Sequence, residues 1–171
     1  MLEHLTLWLA PWSACERGRR AGTLVTEPPR WAVLDPATRD FLGLVRVRRG
    51  WSGSWLSWLS QPVVEVFETE DDSFLFRTWR SWGVAWHVCD AEGRPAGTVR
   101  GPDVRGNQGQ LIAVMKTAPD AQAGCWESPQ GRELGTFRSA EDGIVASFAP
   151  ELLDEDPFVR MVLLAALLRI E

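Results

Sequence analysis

From Met161 to Leu168 every residue is apolar, inside the stretch PFVRMVLLAALLRI at 157–170. Asp156 is placed to cap a first helical turn, and Pro157 suits the first helical position, where a missing N–H costs no hydrogen bond. A helix through this stretch has no polar face. Arg160 and Arg169 lie nine residues apart and, at ~100° per residue, point to opposite sides at opposite ends. A helix that is hydrophobic all round has to be enclosed on every side. Its 14 residues with two arginines fall short of the ~20 apolar residues a membrane span requires, so the enclosure has to be protein.

What precedes it is strand. Arg46-Val47-Arg48 and its neighbours alternate apolar and charged positions, the period-2 mark of a half-buried strand. Asp90-Ala91-Glu92-Gly93 and Ser128-Pro129-Gln130-Gly131 read as turns. The runs between such breakers predict strands near 2–9, 20–26, 30–35, 40–48, 62–68, 73–79, 83–89, 95–101, 110–117, 122–127, 133–138 and 143–148. Only a closed sheet surrounds a single helix, and a helix of ~21 Å, at 1.5 Å per residue, suits the bore of a small barrel. The expected fold is mostly β, a closed antiparallel β-barrel of about twelve strands enclosing a hydrophobic C-terminal α-helix. At 171 residues it forms one domain over 1–171, with strands across about 2–148 and the central helix across about 157–170.

The chain carries 18 Lys+Arg against 23 Asp+Glu, a net charge of −5, which argues against nucleic acid, whose binders carry a basic excess. Charge is unevenly spread, at +3 over residues 1–60 and −5 over 116–171. Cys15, Cys89 and Cys125 are well separated and odd in number, which fits a reducing compartment and no disulfide framework. The start, MLEHLTLWLAPWSAC, superficially resembles a leader. Glu3 before the apolar run and the bulky Trp12 near the cysteine argue against export, so a cytoplasmic location is expected. Lys116 is the only lysine among 18 bases, read as the codon usage of a GC-rich bacterial genome. Ten tryptophans without a tyrosine favour sheets and interfaces, where the ring is buried and its N–H finds an acceptor.

A hairpin unit recurs in WAVLDPATRDFLGLVRV (31–47), WHVCDAEGRPAGTVRG (86–101) and CWESPQGRELGTFRS (125–139). In each, a Trp strand and a polar turn precede a second strand that opens on Gly43, Gly97 or Gly135. About a dozen strands followed by an apolar helix resemble the tubby-like superfamily. The Asp90-Ala91-Glu92-Gly93 turn followed by Gly97-Thr98-Val99 is similar to its LURP-one-related and phospholipid scramblase-related branch. The resemblance implies a twelve-stranded barrel threaded by its last helix, and association with phosphoinositides or anionic membrane. The chain departs from scramblases in lacking a proline-rich leader and a cysteine cluster, and from tubby proteins in offering only Lys116 for a lysine–arginine phosphoinositide pair.

Two groups of residues are candidate sites. Trp51, Trp55 and Trp58, spaced four and three apart, make a stripe on a helical turn; with Arg46, Arg48 and Arg49 just upstream they would anchor at anionic lipid. The competing reading is a cap over the barrel mouth. Arg94, Arg100 and Arg105 surround the next hairpin and would cradle a phosphate, against the plainer reading of a charged surface. His87 and Cys89 face one side of a strand, but four-ligand zinc spacings are absent, so no metal and no cofactor is expected. The acidic runs at Glu65–Asp72 and Asp154–Asp156 lack the spaced ligands of a calcium loop. Nucleophile, phosphate-loop and metalloprotease motifs are missing, and a barrel filled by its own helix lacks a central ligand cavity. The expected function is a non-enzymatic binding module at an anionic phospholipid or phosphoinositide surface. The alternatives are a protein-interaction or structural barrel without a lipid role, and a small enzyme with an unrecognised rim site.

Overall fold

A computed structural model describes residues 1–15, 29–48, 62–68, 73–80, 85–120 and 122–169. Twelve antiparallel strands close a barrel in simple chain order. They are β1 (Thr6–Pro11), β2 (Trp31–Leu34), β3 (Phe41–Arg48), β4 (Val63–Glu68), β5 (Ser73–Arg80) and β6 (Ala85–Asp90), then β7 (Pro95–Arg100), β8 (Asp103–Gly106), β9 (Leu111–Thr117), β10 (Ala123–Glu127), β11 (Glu133–Ala140) and β12 (Gly143–Phe148). The seam joins β1 to β12, with Thr6 opposite Ser147 and Leu9 opposite Ile144. Among the described residues one α-helix, α1 (Pro157–Leu167), follows a 3-10 turn at Pro150–Leu153.

Alternation along the strands sends one row of side chains inward. Leu7 and Leu9 of β1, Val64 and Val66 of β4, and Trp86 and Val88 of β6 join a single core cluster with the helix. Asp156 caps α1 by accepting a hydrogen bond from the Phe158 N–H at 3.0 Å, as its position before Pro157 requires. Val162, Leu163, Leu164 and Ala165 are fully buried. Four successive buried positions cover more than a full turn, so the helix is enclosed by the barrel. It packs most closely on β7 and β8. The rim where the helix begins, the near rim, carries the β2–β3, β6–β7 and β10–β11 turns; the far rim, where it ends, carries the β7–β8 and β11–β12 turns.

The three recurring hairpins are structural equivalents. Gly43 pairs with Val33, Gly97 with Val88 and Gly135 with Trp126, and the register shifts just past each pair. A β-carbon on any of the three would fall 2.2–2.4 Å from a carbonyl oxygen of the next strand. Each intervening turn also holds one residue in the left-handed region: Arg39, Gly93 and Gly131.

Strand positions differ from expectation in three respects. The first strand, expected at 2–9, runs over Thr6–Pro11. The predicted strand at 20–26 lies outside the described residues, and β2 pairs directly with β1. The strand that completes the twelve is β8, Asp103–Gly106, which Gly101, Pro102, Gly106 and Gly109 disguise as a loop. Outside the barrel wall, Ala10, Cys15, Ala32 and Leu34 form a second apolar cluster with Trp8, Trp12 and Phe41.

Candidate functional site

Because inward positions alternate with outward ones, strand register decides which polar side chains share the outer face. Across β3–β6 one row reads Arg46, Glu65, Arg77, Cys89. The next row toward the far rim reads Arg48, Val63, Trp79, His87, Thr98, Arg105. Arg46, Arg48 and Arg77 therefore share the outer face of β3–β5, whereas Arg100 and Arg105 lie further round the closed barrel, on β7 and β8.

Aromatic rings hold several of these cations. The Arg46 guanidinium lies 4.9 Å from the Phe67 ring centroid and Arg77 lies 5.6 Å from that of Trp79. His87 stacks on Trp79 itself, with ring centroids 5.6 Å apart. Such rings fix a guanidinium without neutralising it. Arg48 reaches Glu65 at 3.3 Å, a solvent-exposed pair of small net worth.

Where β7 turns into β8, Arg100, Gly101, Pro102, Asp103 and Arg105 line an open groove of about 480 Å³. Arg105 donates to Asp103 at 2.9 Å and to the Gly109 carbonyl at 3.2 Å. Arg100 is exposed and has no ion pair among the described residues. Arg169, just past α1, donates to the Ala166 carbonyl at 2.9 Å and to the Gly101 carbonyl, tying the end of the helix to this turn.

The structure separates Arg94 from its two predicted companions. It stands in the β6–β7 turn at the near rim, where it donates to Asp90 at 2.6 Å, pairs with Glu92 and overlies the Phe158 ring. Burial works to raise the Asp90 pKa, and hydrogen bonds from the Arg94 side chain and from the Arg94 and Glu92 N–H groups outweigh it, holding this carboxyl below its ordinary value. Arg94 is thus engaged by carboxylates of its own hairpin. Arg49, Trp51, Trp55 and Trp58 lie outside the described residues.

Sequence reading missed Arg77 and Trp79 as members of the face. Their spacing in Phe76-Arg77-Thr78-Trp79 puts both outward, but only the register sets Arg77 opposite Glu65 and beside Arg46. Cys89 is buried, which pushes its thiol pKa up, and His87 stacks on a ring. Among the described residues no group of three or more His, Cys, Asp or Glu side chains is arranged to hold a metal, and no helix is long and apolar enough to cross a membrane.

The near rim holds Asp35, Asp40, Asp90, Glu92, Glu151, Asp154, Glu155 and Asp156 together with Arg39, Arg94 and Arg132, so carboxylates outnumber arginines around the positive end of the helix dipole. The far rim holds Arg48, Arg100 and Arg169 together with Asp103, Glu141 and Asp142. Compared with known proteins, the chain matches no family model, no curated protein and no solved structure.

Proposed function

We propose that the chain is a non-enzymatic, tubby-like binding module that associates peripherally with anionic phospholipid, using the outer face of β3–β5. The observation that carries this reading is the composition of that face. Arg46, Arg48 and Arg77 stand there against only Glu65 among the described residues. Each arginine brought to an anionic membrane surface contributes ~1 kcal/mol, and the attraction fades beyond a Debye length. The anionic leaflet of a cell membrane is the cytoplasmic one, so the proposal is of a cytoplasmic protein.

The test is co-sedimentation of the full chain with phosphatidylcholine vesicles, with and without phosphatidylserine or a phosphoinositide, at low and high salt. Binding to the anionic vesicles that is lost with salt and weakened by Arg46→Gln/Arg77→Gln supports the reading. Absence of binding, or equal binding to neutral vesicles, overturns it and favours a protein partner.

A further inference from the structure

At the far rim, beside the end of the helix, lies a recessed cavity of about 160 Å³. Leu167 and Leu168 of the helix end line it, with Leu9 and Ile144, which face each other across the β1–β12 seam, and Trp31. Arg30 and Arg169 complete the lining among the described residues, and no acidic residue belongs to that described lining. A cavity of ~150 Å³ is enough for a benzene-sized ligand, so the space suits a fragment and not a whole lipid.

The two arginines differ in employment. Arg169 donates to the Ala166 and Gly101 carbonyls, which accounts for it as the cation that offsets the negative end of the helix dipole. Arg30 makes no such contact. Its backbone N–H donates to the Val45 carbonyl at 2.8 Å, and its guanidinium lies 5.5 Å from the Trp31 ring centroid, without an ion pair among the described residues. An aromatic face orients a guanidinium while leaving its N–H donors available. An anion seated between Arg30 and these apolar walls is less screened than one on an open surface.

We infer that this cavity is a binding site for a small organic carboxylate. Its aliphatic or aromatic part, of up to about six carbons, would rest on Leu167, Leu168, Leu9 and Ile144. Its carboxylate would take hydrogen bonds from Arg30. Both halves are required: the charge alone is available on any surface arginine, and the apolar part alone leaves the guanidinium unpaired. This site is distinct from the outer face of β3–β5, and the two readings stand or fall separately.

Titration calorimetry on the full chain with hexanoate and benzoate, against acetate and 1-hexanol as controls, tests it. The expected result is saturable binding of hexanoate or benzoate at millimolar concentrations, with acetate and hexanol each at least about tenfold weaker. Arg30→Gln should remove that advantage over hexanol, and Arg30→Lys should restore part of it. Arg30 is exposed, so both variants should fold, and vesicle co-sedimentation run in parallel reads the outer face independently. Hexanol binding as tightly as hexanoate, an unchanged affinity in Arg30→Gln, or no heat from either acid overturns the inference.

Discussion

Gly97 faces Val162 where the barrel wall comes closest to the helix: a β-carbon on Gly97 would stand 2.9 Å from Val162 Cγ2 and 2.2 Å from the Arg105 carbonyl oxygen. The second contact is with backbone, which yields little. Gly97→Ala is therefore expected to destabilise the protein by about 1–3 kcal/mol, the usual range for overpacking. Gly93 is the control. Its φ of +80° strains any L side chain, yet nothing lies within 4 Å of a β-carbon there, so Gly93→Ala should cost only the left-handed penalty of ~1–2 kcal/mol. Val162→Ala, which alone costs core packing, should cost less in the Gly97→Ala background than by itself and no less in Gly93→Ala. Urea denaturation of the three single and two double variants measures this.

Asp90 should contribute to the acid limb of the stability curve. Its folded pKa is depressed, because the Arg94 side chain and two backbone N–H groups outweigh the effect of burial. A depressed carboxyl contributes stability above its unfolded pKa of ~3.9 and loses it as pH falls through the lower folded value. Asp90→Asn should thus lower the urea midpoint at pH 7, and the gap from the parent should close as pH falls below about 4. Asp35, held low by hydrogen bonds from the Thr38 and Ala37 N–H groups, should behave alike. A gap that stays constant with pH would show that shape, not charge, is what Asp90 supplies.

Glu65 gives a prediction of opposite sign to any arginine variant. It sits between Arg46 and Arg77 in the cross-strand row and pairs with Arg48. Glu65→Gln should strengthen binding to phosphatidylserine vesicles several-fold, as ~1 kcal/mol per charge at the surface implies, with little effect on folding. Co-sedimentation at two salt concentrations should show the gain shrinking at the higher one. A weakened association would mean that Glu65 itself contacts the partner.

The three cysteines should react in order of exposure. Cys15 and Cys89 are each 8% exposed, whereas Cys125 is half-buried, and burial pushes the Cys89 thiol up. Since the thiolate is the reactive form, a thiol-specific reagent should label Cys125 first and Cys89 only as the chain opens. Mass spectrometry of partly labelled native protein reads this directly.

How far the sequence carried these conclusions differs by element. The helix was legible because Met161–Leu168 admits no solvent-facing side, and the hairpins because Gly43, Gly97 and Gly135 recur after a Trp strand. β8 was not, since a four-residue strand between Gly101-Pro102 and Gly106 offers too few positions for alternation to register. The site was legible in residue type but not in grouping. Arg94 and Arg100 are neighbours in sequence, yet β7 separates them by its six residues, ~20 Å at 3.3 Å per residue, and sends them to opposite rims. Arg46 and Arg77 are distant in sequence and meet only through β4. Pairing partners are a tertiary property, and no local pattern in one strand names them.

The order of the chain has a consequence for how the protein is made. The strand that closes the seam and the helix that fills the bore leave the ribosome after the other eleven strands, so β1 waits for β12 while more than a hundred residues are added between them. Throughout that interval the inward rows of Leu, Val and Phe have no helix to rest on, and two strand edges stand unpaired. Such a nascent chain is an open apolar trough of high contact order, slow to close and prone to stick to its neighbours. Translation halted before residue 157 would leave that trough without its filling, so the final turns of helix decide whether the product is soluble.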